Sequence, residues 1–228
     1  MERAWIDLEP SDIRRLLISL VGYRFGEAPE QRLDDIRAER RLYADRFLDL
    51  ARIGARDVVL DLGSGCGFGT AAIARRARSV VACDISPAFL AFARRECAGL
   101  DNVRFQQIEP RDLSPLGAAS LDAVVAMSVF IHLNLYDISC YFDEFRRVLK
   151  PAGRVVFDFA DAHRLFTRWR RHGNDALFRE HAGYYRADPS SLAGLVQWNS
   201  ARGITQVARD AGFRRWRRRG HKLVFVRR

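Results

Sequence analysis

The sequence predicts an α/β fold with a doubly wound, mostly parallel sheet, and three observations support this prediction. Short aliphatic runs recur along the chain, and stretches of helical character separate them. The first clear run, Val58-Val59-Leu60, leads into glycines at every second position from Gly63 to Gly69 and then into an alanine-rich helix start. Acidic residues, Asp61 and Asp84, stand at the ends of the first two runs, where open parallel sheets bind their ligands.

The length and composition favour a globular protein of the reducing cytoplasm. The 228 residues suffice for one α/β domain and a covering segment. No apolar run approaches the ~20 residues of a membrane-spanning helix, and the N-terminus carries acids where a signal peptide carries bases. The four cysteines lie far apart without a C-x-x-C pair, which argues against a zinc site and against a disulfide framework.

The net charge of +10 permits an anionic partner such as nucleic acid. Arginine supplies all of the basic residues except Lys150 and Lys222. Such a skew often reflects codon composition, so the charge by itself does not assign a partner.

The glycine turn argues against two common nucleotide sites. The dinucleotide pattern G-x-G-x-x-G/A fails in the registers that start at Gly63 and Gly65, because Phe68 and Thr70 stand at the last position. A P-loop requires Gly-Lys-Ser/Thr, and the turn contains no lysine. A carboxylate directly before the turn, Asp61, suits a ligand with a cationic end better than a pyrophosphate.

The segment from Asp61 to Gly67 resembles motif I of the class I S-adenosylmethionine (SAM)-dependent methyltransferases. The resemblance extends by motif over about residues 40–160 and by topology over the tail. It implies a Rossmann-like, seven-stranded sheet with an antiparallel last strand, and SAM as the cofactor. The motif residues expected to contact the cofactor are Asp61, Gly63, Ser64, Gly65 and Gly67.

Residues 1–50 predict two helices, which the resemblance interprets as an N-terminal lid ahead of a methyltransferase domain over 51–228. The second helix runs from about Glu30 to Leu50. In the family such helices cover the cofactor, so Tyr43 is expected near its methionine end. A core aromatic residue on an amphipathic helix is the alternative for Tyr43.

The second strand, 79–84, ends in Asp84, which lies 23 residues after Asp61. An acid at about this distance binds ribose hydroxyls in nucleotide-binding sheets, and its two oxygens can accept from both hydroxyls. The resemblance places Ile85 against the adenine ring. It also places an acid after the third strand (102–109) at the adenine amino group, either Glu109 or Asp112, with Glu109 favoured.

The fourth strand, 121–128, continues into Val129-Phe130-Ile131-His132. The carboxyl end of this strand is expected to bring Met127, Ser128 and His132 beside the transferred methyl group. Histidine titrates near neutrality, so His132 is the candidate general base, and a structural histidine next to the following helix is the alternative. That helix is predicted over 138–149, and Lys150–Gly153 resembles the family's L-K-P-G-G turn before a fifth strand at 154–159.

Residues 160–200 are rich in aromatic side chains and are expected to form part of an acceptor pocket. Tyr184, Tyr185 and Trp198 are the candidate acceptor contacts, with core packing as the alternative. The tail from Arg214 to Val226 predicts strands six and seven as an antiparallel hairpin.

These observations predict a SAM-dependent methyltransferase acting on a small-molecule acceptor, with a hydroxyl group of a natural product, sugar or aromatic compound favoured. An RNA or protein methyltransferase that uses the basic hairpin is one alternative, and Trp216 would then stack nucleic acid. A SAM-binding regulatory or scaffold protein without catalysis is the other. The N/D-P-P-Y/F signature of many amino-group methylators is absent after the fourth strand, where Met127 to Phe130 stands instead.

Overall fold

The computed structural model describes residues 33–164, 167 and 196–228. The strands are β1 (Val58–Leu62), β2 (Ser79–Asp84), β3 (Val103–Gln107), β4 (Leu121–Ala126), β5 (Leu149–Asp158), β6 (Ala160–Asp161), β7 (Trp198–Asn199), β8 (Phe213–Arg219) and β9 (Lys222–Arg227). The helices are α1 (Leu33–Ala51), α2 (Phe68–Ala74), α3 (Pro87–Glu96), α4 (Leu135–Val148) and α5 (Ala201–Asp210), with a short 3-10 helix over Phe130–His132.

The main sheet has seven strands in the order β3-β2-β1-β4-β5-β9-β8. Strand β1 pairs in parallel with both β2 and β4, and the sheet stays parallel from β3 to β5. Strand β9 is antiparallel to both of its neighbours, β5 and β8. The predicted fold class and the predicted C-terminal hairpin are therefore confirmed. The strand order reverses its direction at β1, which opens a cleft at the carboxyl end of that strand.

Two apolar layers enclose the sheet. On one face, α4 and α5 cover a cluster of phenylalanines that includes Phe130, Phe142 and Phe157, each fully buried. On the other face, α1 and α2 pack through residues such as Phe47 and Ile73, which are also fully buried. Because both faces are covered, the central strands consist of continuous aliphatic runs instead of alternating ones.

Local sequence signals fix the helix starts near the cleft. The Ser86 side chain caps α3 by accepting from the Phe89 N–H, and Pro87 occupies the first turn. Asn134 caps α4 in the same way by accepting from the Asp137 N–H at 3.0 Å. The α4 helix therefore begins at Leu135, three residues earlier than the apolar spacing predicts.

Strands β4 and β5 differ from the prediction at their ends. Strand β4 stops at Ala126 instead of Ser128, because Ser128 adopts a left-handed conformation with φ 61°. Strand β5 begins at Leu149, and residues 150–153 loop out between the pairs Leu121–Leu149 and Ala123–Arg154. The predicted turn at these four residues is therefore a bulge within the strand, with Ala152 at φ 62°.

Helix α1 is the part of the predicted N-terminal lid that the structure describes. Its buried face, which includes Phe47 and Leu48, belongs to the core on the sheet. The first 32 residues lie outside the described part. Among the described helices, none is long and apolar enough to cross a membrane.

Candidate functional site

A cavity of about 660 Å³ lies at the carboxyl ends of β1, β2 and β4. Ten of the sequence-predicted site residues line it, and they come from α1, the glycine turn, the ends of these three strands and the 3-10 helix after β4. They are Tyr43, Asp61, Gly63, Ser64, Gly65, Asp84, Ile85, Met127, Ser128 and His132. The parallel strands thus bring residues that are distant in sequence to one edge of the sheet.

Asp61 is the penultimate residue of β1 and is almost completely buried, with 1% exposure. Its Oδ2 accepts a hydrogen bond of 2.6 Å from the Thr70 hydroxyl on α2. Burial raises the pKa of Asp61 to about 7, the Thr70 hydrogen bond lowers it, and the charge of Asp84 raises it further. A cationic group in the cavity would stabilise the ionised form of this carboxyl.

Asp84 ends β2 and is held by two backbone amides. Its Oδ2 accepts from the Gly65 N–H at 2.8 Å, and its Oδ1 accepts from the Ser86 N–H at 2.9 Å. Burial raises the pKa of Asp84 to about 6, and hydrogen bonds from the backbone oppose that rise. Each carboxylate oxygen has a second lone pair, so Asp84 keeps the capacity to accept from a ligand.

Three glycines of the turn are required by close packing. A Cβ at Gly63 would lie 2.4 Å from Val129 Cγ2, and one at Gly69 would lie 2.3 Å from Met127 Cε. A Cβ at Gly67 would lie 2.8 Å from Ala93 Cα on α3, a backbone atom. The glycines therefore let the segment after β4 and helix α3 approach the turn.

Gly65 differs from these three glycines, because a Cβ there would meet no described atom within 4 Å. Its φ of 52° and its place in the cavity wall mark a backbone that approaches the cavity directly. The neighbouring Ser64 hydroxyl is buried and has no hydrogen-bond partner among the described residues. At the cavity wall such a hydroxyl is available to hydrogen-bond a polar ligand atom or a water molecule.

The segment after β4 forms another part of the wall through Met127, Ser128 and His132. The Ser128 N–H donates to Asp158 Oδ1 at 2.7 Å, and the Tyr43 hydroxyl donates to Asp158 Oδ2 at 2.5 Å. Burial, followed by the charge of Asp158, raises the pKa of Tyr43 above its ordinary value. His132 is half-buried at the end of the 3-10 helix.

Four of the predicted site residues that the structure describes, Gly67, Glu109, Asp112 and Trp198, do not line this cavity. Gly67 is turned toward α3, and Glu109 is exposed, although its neighbours Ile108 and Pro110 line the wall. The chain leaves β3 at Gln107, two residues earlier than predicted, so the Glu109 side chain points away from the cavity. Asp112, the alternative to Glu109, hydrogen-bonds the Ser114 N–H and hydroxyl instead.

Trp198 is half-buried in β7, which pairs with β6, and it is absent from the described cavity wall. Its segment nevertheless adjoins the 3-10 helix, since the Gln197 N–H donates to the Ile131 carbonyl at 2.7 Å. The other two predicted acceptor contacts, Tyr184 and Tyr185, lie outside the described residues.

Sequence reasoning missed two contributors to the site, Asp158 and Arg111. Asp158 ends β5, so the same signal that identified Asp61 and Asp84, an acid that closes a buried strand, identifies it as well. Arg111 lines the cavity with φ 64°, and its guanidinium contacts Asp137 at 3.0 Å. No spacing rule predicts that conformation.

Part of the basic hairpin, including Trp216, contacts other residues of the same chain. The Trp216 ring has the Arg52 guanidinium 5.4 Å and the Arg217 guanidinium 4.3 Å from its centroid. Arg218 forms an ion pair of 2.7 Å with Asp161, which is buried. These contacts cover the aromatic ring that would stack a base, so the geometry does not favour the nucleic-acid alternative.

Comparison with known proteins also indicates a methyltransferase. A family model described as a methyltransferase domain matches residues 59–153. The demethylmenaquinone methyltransferase of Tropheryma whipplei (strain Twist) is 30% identical over 173 residues, which cover 73% of this chain and 71% of that protein. The ubiquinone biosynthesis O-methyltransferase of Xanthomonas oryzae pv. oryzae (strain PXO99A) is 33% identical over 134 residues, or 57% of this chain and 52% of that one.

Among solved structures, the YcgJ protein from Bacillus subtilis superposes with a TM-score of 0.59 and 22% identity. The match covers 76% of this chain and 68% of that one. At this identity the likeness concerns the fold, and it agrees with the strand order described above.

Proposed function

This chain belongs to the class I SAM-dependent methyltransferases, and from that premise we propose that it methylates a hydroxyl group of a small-molecule acceptor. The observation that carries the proposal is the shared cavity, which combines two buried carboxylates, Asp61 and Asp84, with His132. The name of the Xanthomonas relative, an O-methyltransferase, supports oxygen as the acceptor atom.

The residues of the cavity fit the cofactor at both of its polar ends. The buried Asp61 carboxylate would hold the ammonium group, since a buried charge requires an opposite one. Asp84 would accept from the ribose hydroxyls, and the unpartnered Ser64 hydroxyl would hydrogen-bond a polar cofactor atom.

Ile85 would pack on the adenine ring with Ile108 and Pro110, which also line the cavity. Glu109 is left out of this assignment because its side chain lies outside the wall.

The cofactor, when bound, supplies a methyl group on a positively charged sulfur. The chain's own contribution is then to align the acceptor and to exclude water. Tyr43 and Met127 would line the methyl side of the cavity. A ring nitrogen of His132 would take the proton of the acceptor hydroxyl as the oxygen becomes nucleophilic.

Incubation with SAM and a panel of small molecules tests the proposal. The panel would contain phenols, catechols, quinols and sugars, each with a matched compound whose hydroxyl is already methylated. We expect release of S-adenosylhomocysteine (SAH) and a methylated product only with free hydroxyls, measured by mass spectrometry. Methylation of RNA, protein or amine controls without any hydroxyl product would overturn the proposal.

A further inference from the structure

Asp158 lies behind the cavity and contacts two of its wall residues. It ends β5 and is 3% exposed. One of its oxygens accepts from the Ser128 backbone, and the other accepts from the Tyr43 hydroxyl on α1. Asp158 is not among the described residues that line the cavity. Ser128 and Tyr43 are therefore the described wall residues through which Asp158 can position a ligand by contact.

Ser128 is the central residue of the segment 127–129, which packs against the glycine turn. Its neighbours on either side, Met127 and Val129, pack so closely on Gly69 and Gly63 that a Cβ at either glycine would displace their side chains. Ser128 itself has φ 61°, a conformation that costs a non-glycine residue roughly tenfold in population. If the Ser128 backbone left its left-handed conformation, both neighbouring side chains would move away from the glycine turn.

The Asp158 carboxylate offsets that cost by accepting from the amide of the strained residue. Hydrogen bonds to charged acceptors are stronger than those between neutral groups, and burial strengthens this one further. The backbone of Asp158 is itself fixed, because its residue pairs with Lys222 in the antiparallel β5–β9 ladder. The carboxylate is therefore a rigid support rather than a mobile one.

The second oxygen of Asp158 fixes helix α1 to the same support. The Tyr43 ring packs edge-on against Phe47 at 5.1 Å between centroids, and the Lys222 ammonium lies 5.0 Å from the Tyr43 centroid. Because its pKa is raised, the Tyr43 hydroxyl keeps its proton and remains a donor to Asp158 near neutral pH. One carboxylate thus joins α1, the segment after β4 and the sheet.

We propose that Asp158 is a positioning residue for the cofactor, which holds Ser128 in its left-handed conformation and Tyr43 against the cavity. This inference rests on the proposed cofactor site but not on the identity of the acceptor. It predicts that Asp158 matters for cofactor affinity in the absence of any acceptor.

Calorimetric titration of the full-length protein with SAH measures this role directly. Asp158→Ala is expected to weaken SAH binding roughly tenfold, because Ser128 then leaves its left-handed conformation. Glycine adopts that conformation without strain, so the double variant Asp158→Ala/Ser128→Gly is expected to recover about threefold of the lost SAH affinity. The part of the loss that comes from the missing Tyr43 hydrogen bond should persist. A purely structural role of Asp158 would not respond to Ser128→Gly.

Asp158→Asn provides the second background, since its amide can still accept from Ser128 but has lost the charge. We expect an intermediate loss of SAH affinity that Ser128→Gly restores. The proposal is overturned if Ser128→Gly improves SAH affinity in neither background, whether or not Asp158→Ala folds. A wild-type protein that does not bind SAH would instead overturn the proposed cofactor site, so the two failures are distinguishable.

Discussion

The Thr70 hydroxyl and the Asp61 carboxylate join the two ends of the glycine turn through a hydrogen bond of 2.6 Å. Thr70 lies in the first turn of α2 with no solvent exposure, and Asp61 lies in β1 with 1% exposure. The bond opposes the rise in pKa that burial imposes on Asp61. Thr70 thus helps to keep this carboxyl ionisable near neutral pH.

Thr70→Val is therefore expected to weaken SAH binding at pH 7 by roughly tenfold. The substitution keeps the shape of the side chain but removes the donor, so the pKa of Asp61 rises further and its anion is less populated. Calorimetry at pH 7 and pH 8.5 measures the effect, which should shrink at the higher pH. Thr70→Ser keeps the hydroxyl and is the matched control. Equal affinities for Thr70→Val and Thr70→Ser would contradict the role assigned to the bond.

The pKa of Asp61, raised to about 7 by burial, also predicts the pH dependence of SAH binding. An ammonium group binds the ionised carboxylate, so binding below pH 7 must release a proton from Asp61. Affinity should therefore rise as the pH increases from 5.5 to 7.5. Calorimetry in buffers of different ionisation enthalpy counts the released protons. The Asp61→Asn variant should bind weakly and without this proton release, and proton uptake by the wild type would refute the assignment.

The ligand-free protein should become less stable as the pH rises from 5 to 7. Burial raises the pKa values of Asp61 and Asp84 to about 7 and about 6, above the ~4 of an unfolded aspartate. In this window the folded state binds more protons than the unfolded state, so the free energy of unfolding falls with pH. For Asp61 the loss amounts to about 2 kcal/mol.

Urea denaturation at several pH values measures this slope. The pKa of His221 is lowered, mainly by burial and then by Lys222, and a lowered histidine pKa makes stability rise with pH instead. The comparison of wild type with Asp61→Asn removes that opposing contribution, because His221 is common to both. Parallel pH profiles for the two proteins would show that Asp61 is ionised already at pH 5.

Alanine substitutions at Gly67 and at Gly65 are expected to cause two different defects. Gly67→Ala places a Cβ 2.8 Å from the backbone of Ala93 at a φ of 84°, so we expect a loss of about 3 kcal/mol in stability. Gly65→Ala meets no described atom within 4 Å, so it should cost only about 1 kcal/mol for its conformation. Its methyl group instead takes up space in the cavity and should weaken SAH binding roughly tenfold.

Thermal unfolding and SAH titration of both glycine variants separate these effects. If Gly67→Ala still folds, its SAH affinity should stay closer to the wild-type value than that of Gly65→Ala, although Gly67→Ala is the less stable variant. The opposite order would place Gly67, instead of Gly65, at the ligand.

The sequence predicted the convergence of Asp61 and Asp84 correctly because both acids end neighbouring parallel strands. The carboxyl ends of parallel strands lie at the same edge of the sheet whichever side chains they carry. The positions of the strand ends along the chain are therefore sufficient to predict that the two acids lie close together. The outcome differs for Glu109, which follows β3 through a segment of irregular backbone. No periodicity predicts the direction of a side chain in such a segment, and the structure turns it outward.

Asp158 shows the other limit of prediction from one sequence. Its position at the end of β5 was predictable, but its partner Tyr43 lies 115 residues earlier in the chain. The left-handed conformation of Ser128 has no signal either, because glycine is the residue that usually indicates it. Both the Tyr43–Asp158 contact and the strained backbone of Ser128 depend on tertiary packing. The periodicity of the sequence does not encode that packing directly.

The proposed base, His132, yields the prediction that bears most directly on catalysis. It lines the cavity near Met127 but lies beyond the strand ends that hold Asp61 and Asp84. His132→Ala should therefore lower kcat by about 10²–10⁴, the usual contribution of a general base, and leave the SAH dissociation constant within about twofold. Turnover with the hydroxyl acceptor found in the panel and SAH calorimetry give the two readouts.

His163→Ala is the matched control, because His163 is exposed and is not among the described residues of the cavity wall. The rate of the His132 variant should also recover partly at high pH, where the acceptor hydroxyl loses its proton without a base. A phenol with a lower pKa should recover more of the lost rate than an alcohol does. Full turnover in His132→Ala would remove this residue from the mechanism, and a joint loss of turnover and SAH affinity would assign it to cofactor binding instead.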